Sequence, residues 1–483
     1  MSVSADFSVG RVASGAAWLY VMQVVDYSLA FAFYVVVTRS LPAAEVGSYS
    51  LLLSLVMGFV TFTLLALNLA TIKLVSEHLG RGEVGLAVSV AKKILRFVVV
   101  FSVPSFVVMV ALSPVLSRWV GVGVSVMVLA LVAALTLDFT GFLGGVMYGL
   151  GMYREVAVQN MVYYCFSRIP AMVGVRMGFG LSWIVLSLLF GALVCLVYSV
   201  AKTFGFLREG GADGYPVGRI FSFSLPLYGN NVIMFLQGWL DVIVLSAFVD
   251  LGTLGPYFMA VSSISAASAL WVPLTSALFP ALSSYDGAGR EDAVRDALGV
   301  SSKLLFLVVL PVGLSLAVVS RTALSFVYGN VYGSMAVPFS VLAASLIVPA
   351  LGSLFSTALQ ARGLTRPVLA AGVMSTGVYM ALLPPLSVRM GPVGAAVSRV
   401  CMYVVGSAAL YAYCSGWLSL GLDGAFVGKL AALSLVPALL LAVVFVFAFV
   451  LGLRVFRPLE GREADLLSEA LPERLKFLVG FVK

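Results

Sequence analysis

The sequence predicts an all-α, polytopic membrane protein built from two parallel six-helix bundles, with about one extra span after them. Three observations support this prediction. Hydrophobic residues make up 61% of the 483 residues and charged residues only 10%, whereas about a quarter of the residues of a soluble domain are charged. Apolar runs long enough to cross a bilayer recur along the chain. The second half of the chain also resembles the first.

The internal repeat holds one register over a long stretch. Residues 218–257 align with residues 10–49 without a gap, and Gly255 then falls on Gly47. Because a chance match would not keep one register across helices and loops alike, we interpret the chain as a duplicated unit. A membrane β-barrel is excluded, since it needs alternating segments of about ten residues and the sequence has none.

The repeat sets the predicted domain limits, which are residues 1–210 for the first bundle, 211–415 for the second, and 416–483 for an extra span with a polar tail. Within the bundles, the apolar runs predict twelve spans at about residues 11–37, 46–71, 94–116, 124–150, 155–177, 181–205, 220–249, 255–284, 302–320, 335–360, 367–388 and 392–415. One further run at 426–452 is too short for two spans. The total therefore lies between twelve and fourteen.

Two polar stretches, at residues 73–93 and 286–303, occupy equivalent places in the two repeats. Both have a helical pattern, and we expect both to be short helices that lie on the membrane surface. His78, the only histidine, lies in the first stretch. It is predicted to be a solvated residue.

The distribution of Lys and Arg predicts the orientation in the cell membrane. One set of loops is rich in these residues, whereas the other carries a single Arg per loop. The basic set is predicted to be cytoplasmic, together with the N-terminus. Since each repeat has six spans, both bundles enter the membrane in the same direction, and a substrate site is expected between them. The side of the C-terminal tail stays open.

Several functional classes are excluded by what the sequence lacks. The net charge of +8 comes from loop residues that set topology, so no nucleic-acid partner is expected. The four cysteines lie in apolar runs without disulfide or metal spacing. The sequence has no nucleotide-binding motif and no catalytic triad. We therefore expect a transporter without enzymatic activity, cofactor or metal, driven by an ion gradient or by the gradient of its substrate.

Five ionisable residues lie inside predicted spans: Asp26, Asp138, Arg168, Asp241 and Arg399. Such residues are costly in a bilayer and usually face a cavity or a partner. Asp138 and Arg168 lie at a similar depth on the two arms of one hairpin, which leaves two interpretations. They form an internal ion pair that holds two helices together, or Arg168 contacts a phosphate and Asp138 is its resting partner.

Polar residues also form stripes on two spans. Asp26 is one of three polar residues on one face of the first span, and Asn230, Gln237 and Asp241 share one face of the seventh. A single polar residue in a span often serves helix packing, whereas a stripe that includes a carboxylate favours a wet cavity. Because the two spans are repeat partners, we expect their stripes to face one another across that cavity.

Five short segments resemble the polysaccharide flippases of the multidrug/oligosaccharidyl-lipid/polysaccharide exporter superfamily. They are TRSLP at residues 38–42, EVGSYS at 45–50, VSEHLGRGE at 75–83, FSLPL at 223–227 and LQARG at 359–363. The resemblance implies two six-helix bundles in a V around a central cavity that works by alternating access. It implies as cargo a polyprenyl-(pyro)phosphate-linked oligosaccharide, moved from the cytoplasmic to the outer leaflet for cell-surface polysaccharide or glycoprotein assembly. The family usually has fourteen spans, whereas the sequence predicts about thirteen for this chain.

The resemblance, combined with the polar residues, gives a set of candidate site residues. Arg168 and Arg399 are expected to bind the pyrophosphate, with carboxylates pairing Arg399 when the site is empty. The sugars are expected to contact Tyr228, Asn230, Asn231 and Gln237. The cavity carboxylates, which are candidates for H⁺ or Na⁺ coupling, are Asp26, Asp138 and Asp241. Arg399 also lies near enough to the outer end of its span to be an interface residue that snorkels to water.

Two other functions remain open. An ion-coupled exporter of small cationic compounds would use Asp26 and Asp241 as ion sites and would have more Asp than Arg in its cavity. A non-transporting scaffold for glycan assembly would have a sealed interface between the bundles. For the flippase we expect membrane lipid as a partner and a monomeric protein.

Overall fold

The computed structural model describes residues 9–210 and 215–415, and these residues form α-helices joined by short connections. The extra span and tail predicted for 416–483 lie outside the described residues. The helices are α1 (Val9–Ser40), α2 (Ala43–Leu64), α3 (Leu67–Gly80), α4 (Val84–Ala111), α5 (Ser113–Val120), α6 (Val124–Gly149), α7 (Tyr153–Arg176), α8 (Leu181–Arg208), α9 (Val217–Leu245), α10 (Leu251–Ala266), α11 (Val272–Gly287), α12 (Glu291–Val318), α13 (Ser320–Tyr328), α14 (Ala336–Ala344), α15 (Ile347–Ala361), α16 (Thr365–Met390) and α17 (Pro392–Cys414). Short 3₁₀ turns occupy Ala267–Leu270 and Asn330–Met335.

Ten helical segments of the described chain are long and apolar enough to cross a membrane, so the protein is a multi-pass membrane protein. Two further helices, α7 and α9, contain 24 and 29 residues and are long enough as well. They are more polar than the ten, and they carry Arg168 and the Asn230–Asp241 stripe. Because polar residues of a spanning helix must face protein or water, these two helices are the ones expected to line a cavity.

Three of the predicted spans are interrupted. The span predicted at 46–71 is divided into α2 and α3, and α10–α11 and α14–α15 are similar broken pairs. Between α2 and α3 the backbone is left-handed at Leu65, with φ 49°, and at Ala66, with φ 57°. This conformation costs a residue with a side chain about 1–2 kcal/mol, so the surrounding packing must hold the break in place.

The two predicted surface helices are wrong. Residues 73–93 form the end of α3 and the start of α4, joined by a turn in which Gly82 is left-handed at φ 75°. Residues 286–303 likewise form the end of α11 and the start of α12, with Gly289 at φ 67°. These stretches are polar because the helix ends on either side of each turn extend past the apolar parts of their helices.

His78 illustrates the same error, because it is buried and not solvated. Only 2% of the residue is exposed, and its Nδ1 lies 2.7 Å from Oε2 of Glu83 across the turn. Its ring also packs edge-to-face on Tyr215, with 5.3 Å between the ring centroids.

The two halves of the chain meet where α2 crosses α10. A Cβ atom on Gly47 would lie 2.1 Å from the carbonyl oxygen of Leu251, and one on Gly255 would lie 2.3 Å from that of Ala43. Only glycine permits so close a helix crossing. These two glycines are partners in the predicted repeat, whose superposition itself stays a prediction.

An arginine extends this crossing at the end that is predicted to be extracellular. Arg39 donates from Nε to the carbonyl oxygen of Val327 over 3.1 Å and from a second nitrogen to that of Phe326. Both carbonyls lie near the C-terminal end of α13, where a cation is favoured by the helix dipole. The halves are therefore joined at this end by a close helix crossing and by a capped helix.

Helix α9 contacts both halves. At its start, Arg219 forms a salt bridge of 2.7 Å with Glu77 of α3, and Lys93 of α4 donates to the carbonyl oxygen of Tyr215 just before α9. Further along, Gln237 donates to Thr376 of α16 over 2.8 Å. Pro226 lies inside the helix between these two regions.

Candidate functional site

A cavity of about 310 Å³ lies among α1, α2, α7 and α8 and contains an ion pair. Nη1 of Arg168 donates to Oδ1 of Asp26 over 2.7 Å and to the carbonyl oxygen of Asp26 over 2.8 Å. The guanidinium carbon lies 4.8 Å from the centroid of the Tyr164 ring. Both side chains remain accessible, with 23% of Arg168 and 20% of Asp26 exposed. Further lining residues are Tyr34, Tyr49 and Tyr163.

The predicted pair of Asp138 and Arg168 is therefore wrong. Counting along the hairpin gave their depth in the membrane, but not the directions in which the two helices turn their side chains. Helix α7 turns Arg168 towards α1, whereas α6 turns Asp138 towards α2 and α4. Asp138 is fully buried and lies among the hydroxyl groups of Thr63 and Ser102.

Two more cavities adjoin the first, because Met57 lines all three. One has a volume of about 410 Å³ and is lined by the amides of Asn68, Gln159 and Asn160 together with tyrosines of α6 and α7. The other has a volume of about 330 Å³ and lies between the α2–α3 break and α9, where Asn231 and Trp239 line it. Together the three cavities are lined by a wall of tyrosine rings, amides and one ion pair.

A second ion pair, between Asp241 of α9 and Arg399 of α17, is sealed inside the protein. Nη2 and Nε of Arg399 donate to Oδ2 of Asp241 over 2.8 and 3.1 Å. The hydroxyl of Tyr257 donates to the same oxygen over 2.7 Å, and the backbone N–H of Val242 donates to Oδ1 over 2.9 Å. Only 5% of the Arg399 side chain and none of the Asp241 side chain is exposed.

The prediction that a carboxylate pairs with Arg399 is confirmed, and the alternative that Arg399 snorkels to water is wrong. Its predicted contact with a pyrophosphate requires this buried pair to open, and that role stays a prediction. The expectation that the polar stripes of the first and seventh spans face one another across a cavity is also wrong for their two carboxylates. Asp26 turns to α7 and Asp241 to α10 and α17, so each carboxylate is neutralised by helices of its own half.

The remaining predicted residues of α9 lie in different surroundings. Gln237 donates to Thr376 and, over 3.4 Å, to Ser375, so it holds α9 against α16. Asn231 lines the third cavity, Asn230 is exposed, and Tyr228 is half-buried. The structure therefore brings only Asn231 of these residues to the described cavities, and the sugar contacts of all four stay predictions.

A family model for polysaccharide biosynthesis proteins matches residues 12–286, which is more than half of the chain. The chain belongs to this family of polysaccharide biosynthesis proteins. The probable low-salt glycan biosynthesis flippase Agl15 of Haloferax volcanii is 23% identical over 271 residues. That match spans 56% of this chain and 56% of the relative, so this chain covers little more than half of the relative's length.

Two solved structures share the fold of this polysaccharide biosynthesis protein. The lipid II flippase MurJ, in an inward closed conformation, aligns with a TM-score of 0.69 at 11% identity over 88% of this chain and 93% of that chain. A multidrug resistance MATE family transporter of the MOP superfamily, in an inward-facing conformation, aligns with a TM-score of 0.67 at 15% identity, covering 81% and 95%. The predicted all-α membrane fold and its likeness to the fold of these transporters are confirmed, whereas the internal repeat of two six-helix bundles stays a prediction.

Sequence reasoning missed most of the cavity wall of this family member. The missed residues are Tyr49, Asn68, Tyr148, Gln159, Asn160, Tyr163 and Tyr164. One signal was available in α7, where Gln159 and Tyr163, and Asn160 and Tyr164, are four residues apart and therefore share a face of the helix.

Proposed function

We propose that this polysaccharide biosynthesis protein is a flippase for a polyprenyl-(pyro)phosphate-linked oligosaccharide, which it moves from the cytoplasmic to the outer leaflet. The observation that supports this proposal most directly is the accessible guanidinium of Arg168 in a wall of tyrosine rings and neutral amides. A guanidinium is well suited to bind phosphate oxygens through parallel hydrogen bonds. Aromatic rings and amides provide the stacking and hydrogen bonds that sugars require.

The geometry of Arg168 fits this role. Within the described residues, the hydrogen bonds of its guanidinium both use Nη1, and both go to Asp26. An arginine has five N–H donors, so donors remain for a phosphate while Asp26 holds the side chain in place. The ring of Tyr164 further restricts the guanidinium, which reduces the entropy lost on binding.

The balance of charge in the cavities gives less support to an exporter of cationic compounds. Such a cargo needs a carboxylate that is not already neutralised. Among the lining residues of the three described cavities, the one carboxylate is Asp26 in the first, and it is bound to Arg168. A scaffold with a sealed interface is also disfavoured, because the third cavity lies between α2–α3 and α9. The lining of the three described cavities contains one Arg and one Asp, so it has no excess of Asp, and the proposal rests on accessible donors and neutral polar groups.

The orientation, the cell membrane location and the monomeric state belong to the same proposal. The N-terminus lies in the cytoplasm because the loops rich in Lys and Arg lie on that side. Coupling to H⁺ or Na⁺ supplies the energy, with the carboxylates inside the membrane as its carriers.

The test uses purified protein in proteoliposomes with a labelled lipid-linked oligosaccharide, and it measures label that becomes accessible on the opposite leaflet. The variant is Arg168→Gln, and the matched control is Arg118→Gln, which changes an exposed arginine of α5. A charge-assisted hydrogen bond contributes about 1.5–3 kcal/mol. We therefore expect flipping by Arg168→Gln to fall about 10–100-fold, and flipping by the control to stay normal.

Normal flipping by Arg168→Gln contradicts the binding role of this arginine. Absence of flipping in the wild type, together with uptake of a small organic cation that Asp26→Asn abolishes, favours the exporter instead.

A further inference from the structure

Asp138 lies in the middle of α6, completely buried and without a cationic partner in the described part of the chain. This separates it from Asp26 and Asp241, the other two carboxylates inside the predicted spans, which each pair with an arginine. Its Oδ1 has no hydrogen-bond partner among the described residues, and Oδ2 contacts the hydroxyls of Thr63 and Ser102. An ionised carboxylate without a cation is very costly in such a place.

The hydrogen bonds around Asp138 leave a place for a proton on the carboxyl group. The hydroxyl of Thr63 lies 2.7 Å from the carbonyl oxygen of Phe59 and also contacts Oδ2 of Asp138. A threonine hydroxyl has a single hydrogen, and a carbonyl oxygen can only accept. If Thr63 donates to Phe59, the contact with Asp138 requires a hydrogen on the carboxyl group, which then donates to Thr63. Ser102 donates to the same oxygen over 2.7 Å.

The titratable groups on the helices around α6 do not offer Asp138 a positive charge in place of that proton. They are engaged elsewhere, are exposed, or line the first cavity. Engaged groups are Glu45 of α2 with the N–H of Leu181, His78 of α3 with Glu83, Lys92 and Lys93 of α4 with backbone carbonyls, Arg168 of α7 with Asp26, and Cys195 of α8 with the carbonyl of Gln159. Arg96 of α4 and Arg118 of α5 are exposed. Tyr49 of α2 and Tyr163 and Tyr164 of α7 line the first cavity.

Thr63 links this carboxyl group to the interrupted helix. It is the second-to-last residue of α2 and lies two residues before the left-handed pair Leu65 and Ala66. Ala66, in the break itself, and Asn68, just past it, line the third cavity. A threonine that bonds back to the carbonyl four residues earlier slightly bends its helix. We therefore expect the angle between α2 and α3 to depend on whether the bond from Thr63 to Phe59 is formed.

We propose that Asp138 is a proton-binding site and that its proton sets the angle at the α2–α3 break. In the present conformation the carboxyl group is neutral and donates to Thr63. When the proton leaves to cavity water, the carboxylate requires donors, and Thr63 turns its hydroxyl hydrogen from Phe59 to Asp138. The loss of the back-bond changes the bend of α2 and moves Ala66 and Asn68 in the cavity wall. The link to transport rests on the proposed flippase function, whereas the proton site does not.

The first experiment measures the proton directly by infrared difference spectroscopy on the purified full chain, without cargo and in sodium-free buffer. A protonated carboxylic acid has a carbonyl-stretch band that a carboxylate lacks. At pH 7 we expect this band in the wild type, its loss in Asp138→Asn, and its retention in the matched control Asp26→Asn. Absence of the band in the wild type overturns the proposal, and so does its loss on addition of Na⁺, which would make the site a sodium site.

The second experiment tests the link to Thr63. Thr63→Val removes the acceptor of the carboxyl proton at nearly constant shape, whereas Thr63→Ser keeps it. We expect the band of Asp138 to shift in Thr63→Val and to stay in place in Thr63→Ser. A band that is unchanged in Thr63→Val contradicts the predicted donation to Thr63.

The third experiment tests the hinge by hydrogen exchange of residues 60–70, at a pH above the titration of the band. We expect faster exchange in the wild type than in Asp138→Asn, which keeps a neutral side chain. Equal rates contradict the control of the break by the proton. None of these measurements involves cargo, so failure of the flippase proposal leaves them interpretable.

Discussion

Two ion pairs inside the described spans, Asp26–Arg168 and Asp241–Arg399, are built from the same parts but have different surroundings. In each pair the aspartate lies on the helix that begins one half of the chain, α1 or α9, and the arginine lies near a tyrosine ring, at 4.8 Å for Arg168 and 5.8 Å for Arg399. Each arginine also contacts a backbone carbonyl of the aspartate's helix, at 2.8 Å in the first pair and 3.5 Å in the second.

The two ion pairs differ in how far their side chains are exposed. Arg168 and Asp26 are 23% and 20% exposed at a cavity, whereas Arg399 and Asp241 are 5% and 0% exposed inside the second half. A buried pair is held by the cost of separating charges in a medium of low polarity. An exposed pair is weak and can exchange its partner. The comparison suggests that the open pair serves binding and the sealed pair holds helices together.

The largest expected effect follows from breaking the sealed pair on one side. Asp241→Asn or Arg399→Gln alone leaves a charge without its partner in the core. Each should lower the free energy of unfolding by about 3–5 kcal/mol. Thermal unfolding in detergent measures this loss. The double variant should lose less than the sum, and additive losses would show that the two charges do not act as a pair.

The same changes at the open pair should have a smaller effect on stability. Asp26→Asn or Arg168→Gln should lower the free energy of unfolding by about 1 kcal/mol or less, because the remaining charge stays accessible. The measurement is the same unfolding experiment, performed in parallel. A loss as large as that of the sealed pair would contradict the comparison and make both pairs structural.

The ring beneath the open arginine should contribute less again. Tyr164→Leu removes the cation–π contact and keeps an apolar side chain, so we expect binding of a lipid-linked oligosaccharide to weaken by about 0.5–1 kcal/mol. Tyr164→Phe keeps the ring and serves as the control. If both variants weaken binding equally, the hydroxyl group contributes and the ring face does not.

Salt should give the smallest effect and distinguish the pairs without mutation. Exposed charges are screened at high ionic strength, whereas buried charges are screened much less. Between low and high salt we expect the stability difference between wild type and Arg168→Gln to shrink by a few tenths of a kcal/mol. The difference for Arg399→Gln should stay constant, and an equal salt effect on both would indicate that water reaches the second pair.

The sequence was sufficient to predict most helix positions, because bilayer thickness and hydrophobicity together restrict where spans can lie. The spans predicted at 124–150 and 181–205 correspond closely to Val124–Gly149 and Leu181–Arg208. The break at Leu65 and Ala66 gave no signal, since neither residue is glycine or proline. It is held by packing that only the folded chain provides.

The site could be predicted only in part, for a geometric reason. Residue counting gives the depth of a charge but not its direction around the helix axis. Asp138 and Arg168 have similar depths but face different neighbours. Asp241 and Arg399, by contrast, face one another. Which cavity a polar side chain reaches depends on helix rotations that the sequence pattern alone does not fix.

The glycine crossing of α2 and α10 has an electrical consequence. In the predicted orientation this crossing lies on the extracellular side, between the cavity and the outside. In an energised membrane, the voltage falls mainly across the layer that separates the two aqueous phases. With the cell interior negative, moving one negative charge outward across that layer releases about 2.3 kcal/mol per 100 mV. If the protein is the proposed flippase, the membrane potential would therefore favour outward movement of an anionic head group across the layer that contains Gly47 and Gly255.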